Sequence, residues 1–183
     1  MATPIQRIGL IGAESSGKTT LSEALALELT SSGTPAVVVP EYLRTWCDLH
    51  GRLPSAPDQL AILNGQLNYE DRAAEQNPGA VLVCDPAVIT TALYSFLYFQ
   101  DSSLMDLALL DRYQRLIWCD IDIDWVPDIL RDGENRRRQM HELIEHHLPE
   151  FESAWGGSIP LISGDVADRI GQAWQLNLPT NSP

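Results

Sequence analysis

Residues 8–19 decide the fold, and they read Ile-Gly-Leu-Ile-Gly-Ala-Glu-Ser-Ser-Gly-Lys-Thr. The first four residues form an apolar run typical of a buried strand, and residues 20–29 carry apolar side chains at helical spacing. Between the two, residues 12–19 match the pattern G-x-x-x-x-G-K-[ST] at every fixed position. A strand, a glycine-rich loop and a helix in this order predict a loop that binds phosphate groups; a glycine-rich turn without a nucleotide is the alternative.

The fixed positions of this loop serve separate chemical purposes. Glycines at both ends let the backbone curl so that several N–H groups point at phosphate oxygens, and the following helix adds the positive end of its dipole. Lys18, the only lysine in the chain, then reaches the terminal phosphates, and the Thr19 hydroxyl ligates Mg²⁺. We therefore expect a nucleoside triphosphate and Mg²⁺ as cofactors, with the nucleotide bound by Gly12, Ala13, Glu14, Ser15, Ser16, Gly17, Lys18, Thr19 and Thr20.

Length and charge narrow the class of protein. The 183 residues suit a single α/β domain, which we expect at residues 1–176, followed by a disordered tail at 177–183. The net charge of −13 argues against binding to nucleic acids or anionic membranes, because a strongly acidic surface repels phosphate groups. The sequence contains neither a signal-peptide pattern nor a stretch near the roughly 20 apolar residues that span a bilayer, so we expect a cytosolic protein. Cys47, Cys84 and Cys119 are interpreted as buried free thiols.

Strand-like and helix-like segments alternate along the rest of the chain. Short apolar runs predict further strands at residues 36–39, 80–84, 115–119 and 158–162. Helical patterns occupy residues 58–76, 90–98, 104–113 and 166–176. This order of elements predicts an α/β fold, with a doubly wound, five-stranded parallel sheet and helices on both faces.

In such a sheet, functional groups gather at the carboxyl ends of the strands. Asp85 ends the third strand, where we expect it to hold Mg²⁺ together with Thr19; a turn or helix-capping role is the alternative. Glu41 follows the second strand and could orient or deprotonate an acceptor hydroxyl; a solvated carboxylate at a helix start is the alternative. The expected acceptor site comprises Glu41, Tyr42, Arg44, Asp85 and Trp125, the last of which follows the fourth strand.

Arginines are concentrated in one short segment. Arg131, Arg136, Arg137 and Arg138 lie around a turn that leads into a helix. We predict a lid around residues 131–138, in which Arg131 and Arg136 close over the triphosphate and neutralise charge as the phosphoryl group moves. Arg137 and Arg138 point to other faces of the helix and are expected to matter less. The alternative is that the arginines pair with nearby glutamates on an exposed helix.

The chain resembles a known family in four successive motifs. In sequence order they resemble those of the ribosylnicotinamide kinase domain, which forms the C-terminal half of the bifunctional bacterial regulator of NAD biosynthesis and also occurs alone in P-loop ATPase/kinase proteins. The similarity extends from Ile8 to about Trp174, and its motifs are residues 12–21, 41–44, 85–91 and 124–131.

This resemblance implies a P-loop NTPase fold of the nucleoside monophosphate kinase type. It also implies ATP-dependent phosphorylation of the ribose 5′-hydroxyl of nicotinamide riboside, in NAD biosynthesis. On that view Glu41 and Asp85 face the acceptor and Mg²⁺, Trp125 lies near the substrate, and Arg131 with Arg136 belongs to the lid.

The chain departs from the family pattern at two places. Ala87 stands where family members carry the second acid of an Asp-x-Asp motif, and residues 127–129 read Pro-Asp-Ile where the family has Asp-Asp-Gly. Because an acceptor carboxylate is missing, two further functions remain open beside a small-molecule kinase. One is an ATPase or nucleotide-dependent switch without an acceptor, and the other is a regulatory module that binds nucleotide without turnover.

Overall fold

The computed structural model describes residues 6–127 and 133–178. Its five strands are β1 (Gln6–Ile11), β2 (Ala36–Val39), β3 (Val81–Cys84), β4 (Arg115–Cys119) and β5 (Leu161–Ile162). They form one sheet in the order β2-β3-β1-β4-β5, and every neighbouring pair is parallel. The predicted five-stranded parallel sheet is therefore confirmed.

The first five α-helices lie in the connections between successive strands, and the sixth follows β5. In the described residues they are α1 (Lys18–Ser31), α2 (Tyr42–His50), α3 (Gln59–Gln76), α4 (Ile89–Phe99), α5 (Glu134–Trp155) and α6 (Val166–Trp174). Short 3₁₀ helices occupy Ala56–Asp58 and Leu107–Arg112. None of the described helices combines the length and the apolar composition needed to cross a bilayer.

The core lies on both faces of the sheet, because successive residues of a strand point to opposite sides. Leu10 belongs to a cluster formed with α1 and α6, whereas Ile11 belongs to one formed with α3, α4 and α5. Strand β4 divides in the same way, with Ile117 on the first side and Trp118 on the second. Burial on both faces explains why these strands read as continuous apolar runs in the sequence.

The helix predicted at residues 104–113 is wrong in type and length. The structure has a 3₁₀ helix at Leu107–Arg112 instead. Its start is fixed by Asp106, whose carboxylate accepts a hydrogen bond from the backbone N–H of Ala108. Since β4 begins only three residues after Arg112, there is no room for further helical turns.

The fifth strand is shorter than the predicted range of 158–162. Pro160 has no N–H to donate to a ladder, although its carbonyl accepts from Trp118 N at 2.9 Å. The backbone N–H of Ile159 donates instead to the carboxylate of Glu152 in α5, at 2.7 Å. Regular strand pairing is therefore confined to Leu161–Ile162.

Two smaller expectations also change. Cys84 and Cys119 are buried, but Cys47 is only half-buried; all three thiols are free. Leu178, predicted to belong to the disordered tail, packs in the same core cluster as Leu10. The rest of the predicted tail, residues 179–183, lies outside the described residues.

Candidate nucleotide and acceptor site

The glycine-rich loop connects β1 to α1, and its conformation requires its glycines. Gly17 has φ = 80°, in the left-handed region that favours glycine. A Cβ at Gly12 would lie 2.7 Å from the Ser16 hydroxyl oxygen and 3.2 Å from the Cys119 carbonyl oxygen, so no larger residue fits without a shift. The loop is thus wound tightly against the end of β4.

Lys18 folds over this loop. Its Nζ donates to the carbonyl oxygens of Gly12 at 3.0 Å and Ala13 at 2.6 Å, and lies 3.3 Å from the Ser16 hydroxyl oxygen. The ammonium group therefore sits at the centre of the loop, where a bound phosphate chain would meet its positive charge.

Thr19 and Asp85 meet at the carboxyl edge of the sheet. The Thr19 hydroxyl donates to Asp85 Oδ2 at 2.7 Å, although the two residues are 66 positions apart. Asp85 directly follows β3 and is 4% exposed. It is not the residue that caps α4, since the N-cap position is Val88. A hydroxyl and a carboxylate in contact offer the hard oxygen ligands that Mg²⁺ prefers, with the remaining positions left to water and phosphate.

Two buried arginines bind carbonyl oxygens of the phosphate loop. From the sequence, Arg137 was placed in the predicted lid and was expected to matter less than Arg136, and Arg169 was not singled out. The Arg137 guanidinium donates to the carbonyl oxygens of Ser15 at 3.1 Å, Ile121 at 3.0 Å and Ile123 at 2.6 Å. Arg169 donates to the Ser16 carbonyl oxygen at 2.7 Å. Successive carbonyls of the loop are therefore tied to two different helices, α5 and α6.

Arg169 also anchors the segment after β4. It donates to the Asp120 carbonyl oxygen at 3.2 Å and forms an ion pair with Asp122. Burial alone would raise the pKa of Asp122, but a hydrogen bond from the Gly164 N–H and the charge of Arg169 outweigh it and lower the pKa. The carboxylate therefore stays ionised, and the ion pair persists at neutral pH.

Helical periodicity could have identified Arg137. It precedes Met140, Ile144 and Phe151 by 3, 7 and 14 positions, and these three residues form the buried face of α5. A run of three arginines conceals that pattern, because charged residues are ordinarily assigned to the exposed face.

A cavity of about 410 Å³ opens beside the phosphate loop. One wall is the loop itself together with Asp85, and the opposite walls come from α2, α3 and α4. Besides residues 14–20, the lining includes Glu41, Leu43, Arg44, Leu53, Gln59, Ile62, Thr90, Thr91, Tyr94, Tyr98, Phe99, Ile123, Asp124 and Val126. Aromatic and aliphatic side chains alternate here with a few carboxylates and hydroxyls, as in sites for small ligands.

The residues after β2 divide between the cavity and the core. Glu41 immediately precedes α2 and lines the cavity, where it forms an ion pair with Arg44 at 3.5 Å. Tyr42 is not among the lining residues: its ring packs edge-on against Tyr69 and lies over Gly65 of α3. The structure therefore brings Glu41 and Arg44 to the cavity and uses Tyr42 to fasten α2 to α3.

Of the remaining predicted residues, two lie beside the lining of the cavity and one lies outside the described residues. Trp125 does not line the cavity, whereas its neighbours Asp124 and Val126 do. Arg136 packs its guanidinium over the ring of Tyr98, 5.2 Å from the centroid, and so flanks the cavity wall. Arg131 lies outside the described residues.

Ala87 occupies a position unlike that expected of an acceptor acid. It is 0% exposed, and its methyl group packs where Gly9 leaves room: a Cβ at Gly9 would lie 2.8 Å from Ala87 Cβ. The Ala87 side chain therefore points into the core beneath β1. The acidic groups of the cavity wall are instead Glu14, Glu41, Asp85 and Asp124.

We compared the sequence with models of protein families and with curated proteins. A family model described as an AAA domain matches residues 7–169. No curated protein matches the sequence.

Solved structures show which fold the chain shares. A crystal structure of NadR protein in complex with NR superposes with a TM-score of 0.69 at 20% identity, over 93% of this chain and 49% of the other. Thymidylate kinase from Ehrlichia chaffeensis gives a TM-score of 0.67 at 16% identity, over 96% of this chain and 100% of the other. Deoxyadenosine kinase from M. mycoides with bound dATP gives 0.58 at 12% identity, over 94% and 99%.

These likenesses establish the fold. The chain has the P-loop NTPase fold of the nucleoside monophosphate kinase type, as predicted. It spans about half the length of the NadR chain that it matches.

Proposed function

The chain belongs to the AAA-domain family of P-loop proteins, and we propose that it is an ATP-dependent kinase whose acceptor is a small nucleoside. The ribose 5′-hydroxyl of nicotinamide riboside is the acceptor group that we propose first. The observation that carries this proposal is the cavity of about 410 Å³ that adjoins Lys18, Thr19 and Asp85. A protein that only hydrolysed ATP would not need this cavity to extend from the phosphate loop to α2, α3 and α4.

The phosphate loop would bind and polarise the triphosphate of ATP. Its backbone N–H groups and the start of α1 would hold the phosphate oxygens, and Lys18 would exchange its contacts with Gly12 and Ala13 for contacts with the terminal phosphates. Thr19 and Asp85 would hold Mg²⁺, which neutralises charge on the phosphate oxygens. Lys18 is the only lysine in the chain, so no other lysine side chain can take over this role.

The acceptor would bind between α2 and α4. Its 5′-hydroxyl oxygen would form a bond to the γ-phosphorus while the bond from that phosphorus to the bridging oxygen of ADP breaks, and the hydroxyl proton would pass to the Glu41 carboxylate. Arg44 holds Glu41 at 3.5 Å and would orient it. Tyr42, packed against Gly65 and Tyr69, would act on the acceptor only indirectly, by fixing the position of α2.

The segment after β4 and the start of α5 would cover the bound substrates. Asp124 and Val126 already line the cavity, and Trp125 between them would approach the acceptor when the cover closes. Arg136, stacked on Tyr98, and Arg131 would supply positive charge to the moving phosphoryl group.

Two observations support nicotinamide riboside as the acceptor. The four sequence motifs are similar to those of ribosylnicotinamide kinases, and the NadR structure with bound NR shares the fold. With this acceptor the protein would serve NAD biosynthesis. A kinase of this kind would work in the cytosol and bind neither nucleic acids nor membranes, as the sequence predicts.

The experiment is an acceptor panel. Purified protein is incubated with Mg-ATP and one nucleoside at a time, nicotinamide riboside included, and the products are identified by mass spectrometry. We expect a nucleoside monophosphate from nicotinamide riboside and stoichiometric ADP. ATP consumption that no nucleoside stimulates would overturn the kinase proposal and leave the ATPase or switch in its place.

A further inference from the structure

Glu14 differs from the other side chains of the phosphate loop, because it lines the cavity with a negative charge. Its Oε2 accepts a 2.9 Å hydrogen bond from the Tyr94 hydroxyl of α4, across 80 positions of sequence. Its Oε1 is shielded from solvent and has no hydrogen-bond partner among the described residues. A carboxylate oxygen that is desolvated and left unpaired costs free energy in the absence of a ligand.

A second unpaired polar group belongs to the same cavity wall. Thr90 is 0% exposed, lines the cavity, and has a buried hydroxyl without a partner in the described chain. Thr90 and Tyr94 are four positions apart in α4 and therefore lie on one face of the helix, about 5–6 Å apart at Cβ. The unpaired hydroxyl and the tyrosine that holds Glu14 thus share one corner of the cavity.

Tyr94 is a constant hydrogen-bond donor to Glu14. Burial, and after it the neighbouring charges of Glu14 and Glu41, raise the pKa of Tyr94 well above its usual range. The phenol therefore remains protonated at neutral pH and always donates to Glu14. With Oε2 engaged in this way, Oε1 is the carboxylate oxygen that is left without a partner.

Charge decides which ligand this corner accepts. A triphosphate oxygen would be repelled by the Glu14 carboxylate, so the partner of Oε1 is not one of the phosphate groups that the same loop binds. A sugar hydroxyl fits, because it donates to a carboxylate and also accepts from a threonine hydroxyl. Two neighbouring hydroxyls of a ribose can satisfy both groups at once.

We propose that Glu14 and Thr90 form a binding site for ribose hydroxyls of the acceptor, with Tyr94 as the residue that positions Glu14. This inference rests on the proposed kinase function and deepens it. In this inference Glu14 binds the acceptor, whereas the sequence motif placed Glu14 among the residues that bind the nucleotide. It also provides this chain with an acceptor carboxylate that does not depend on position 87.

The test measures nucleoside binding by calorimetry, separately from turnover. Wild type, Glu14→Gln, Thr90→Val and Tyr94→Phe are titrated with nicotinamide riboside and with its 2′-deoxy and 3′-deoxy analogues. A non-hydrolysable ATP analogue is titrated in parallel. Glu23→Gln, which makes the same charge change on the exposed face of α1, is the control.

We expect Glu14→Gln to weaken riboside binding by about tenfold or more, and Tyr94→Phe to weaken it less. Affinity for the ATP analogue should stay within about twofold of wild type in both. Losing one hydroxyl from the riboside should cost wild type about tenfold and Glu14→Gln much less, since the two changes remove the same contact.

Three outcomes would overturn the inference. They are riboside binding that Glu14→Gln leaves unchanged, equal losses of riboside and ATP-analogue affinity, and a wild type that binds no riboside. Failure of the kinase proposal looks different, because wild type would then bind the riboside in a Glu14-dependent manner without phosphorylating it. Melting temperatures equal to wild type would show that the variants remain folded.

Discussion

The Thr19 hydroxyl and Asp85 Oδ2 lie 2.7 Å apart, one at the start of α1 and the other at the end of β3. This contact joins the phosphate loop to the neighbouring strand of the sheet, and it is where we propose that Mg²⁺ binds. Because Asp85 is only 4% exposed, a ligand can reach its carboxylate only from the cavity that it lines.

Asp85→Asn should change the metal dependence of the reaction. An amide ligates Mg²⁺ more weakly than a carboxylate, so the Mg²⁺ concentration for half-maximal activity should rise and excess Mg²⁺ should restore part of the rate. Glu41→Gln should instead lower kcat at every Mg²⁺ concentration, by about 10²-fold, since it removes the proposed proton acceptor. Superimposable Mg²⁺ titrations of the two variants would refute this division of roles.

Arg136→Ala should slow phosphoryl transfer more than it weakens ATP binding. Its guanidinium lies over Tyr98 at the edge of the cavity, from where it can approach the transferred group. We expect kcat to fall by about 10²-fold and the Kd for an ATP analogue to change by less than about threefold. Arg138→Ala is the matched control, because Arg138 is exposed and contacts Asn135 in its own helix. Equal losses in the two variants would contradict a role for Arg136 in the lid.

Arg137→Ala should destabilise the fold, contrary to the sequence-based expectation that Arg137 matters less than Arg136. The substitution leaves the carbonyl oxygens of Ser15, Ile121 and Ile123 without the donor that they share. We expect a loss of about 3 kcal/mol in unfolding free energy, measured by urea denaturation, with ATP binding weakened as the loop loosens. A loss below about 0.5 kcal/mol, as on an exposed surface, would show that these contacts do not stabilise the loop.

Gly65→Ala should lower stability even though alanine favours helices. A Cβ at residue 65 would lie 2.0 Å from the Tyr42 ring, which fastens α2 to α3. Gly171→Ala in α6 meets nothing within 4 Å and should raise stability by about 0.5–1 kcal/mol. Thermal unfolding of the two variants measures both effects. A stabilising Gly65→Ala would mean that Tyr42 is not held against α3.

The sequence predicted the elements that local pattern determines. The loop motif with its flanking strand and helix placed β1 and α1, and apolar runs placed β2, β3 and β4, because continuous burial leaves a direct signature. The start of β5 was misjudged because Glu152, in another helix, binds the backbone N–H of Ile159, which lies before the strand. The region at 104–113 was misjudged because Asp106 and the nearby β4 limit the helix more than its composition does.

Contacts between distant residues were beyond the sequence. The loop motif and the position after β3 predicted that Thr19 and Asp85 hold Mg²⁺ together, and the structure places their side chains 2.7 Å apart. Their roles, and that of Lys18, stay predictions. Arg169 lies 153 positions from its partner Ser16, and Tyr94 lies 80 positions from its partner Glu14. No local sequence pattern can predict contacts between residues so far apart. Trp125 and Tyr42 were assigned to the acceptor, yet neither is among the residues that line the cavity.

The central claim is that this site transfers the γ-phosphoryl group of ATP to a nucleoside and not to water. It is tested most directly with γ-labelled ATP, Mg²⁺ and nicotinamide riboside, by measuring how the label divides between nucleotide product and free phosphate. We predict label in the riboside product, and a loss of at least about 10²-fold in Lys18→Ala, whose site retains no other ammonium group. Label released only as free phosphate, at a rate that the riboside does not change, would contradict the account.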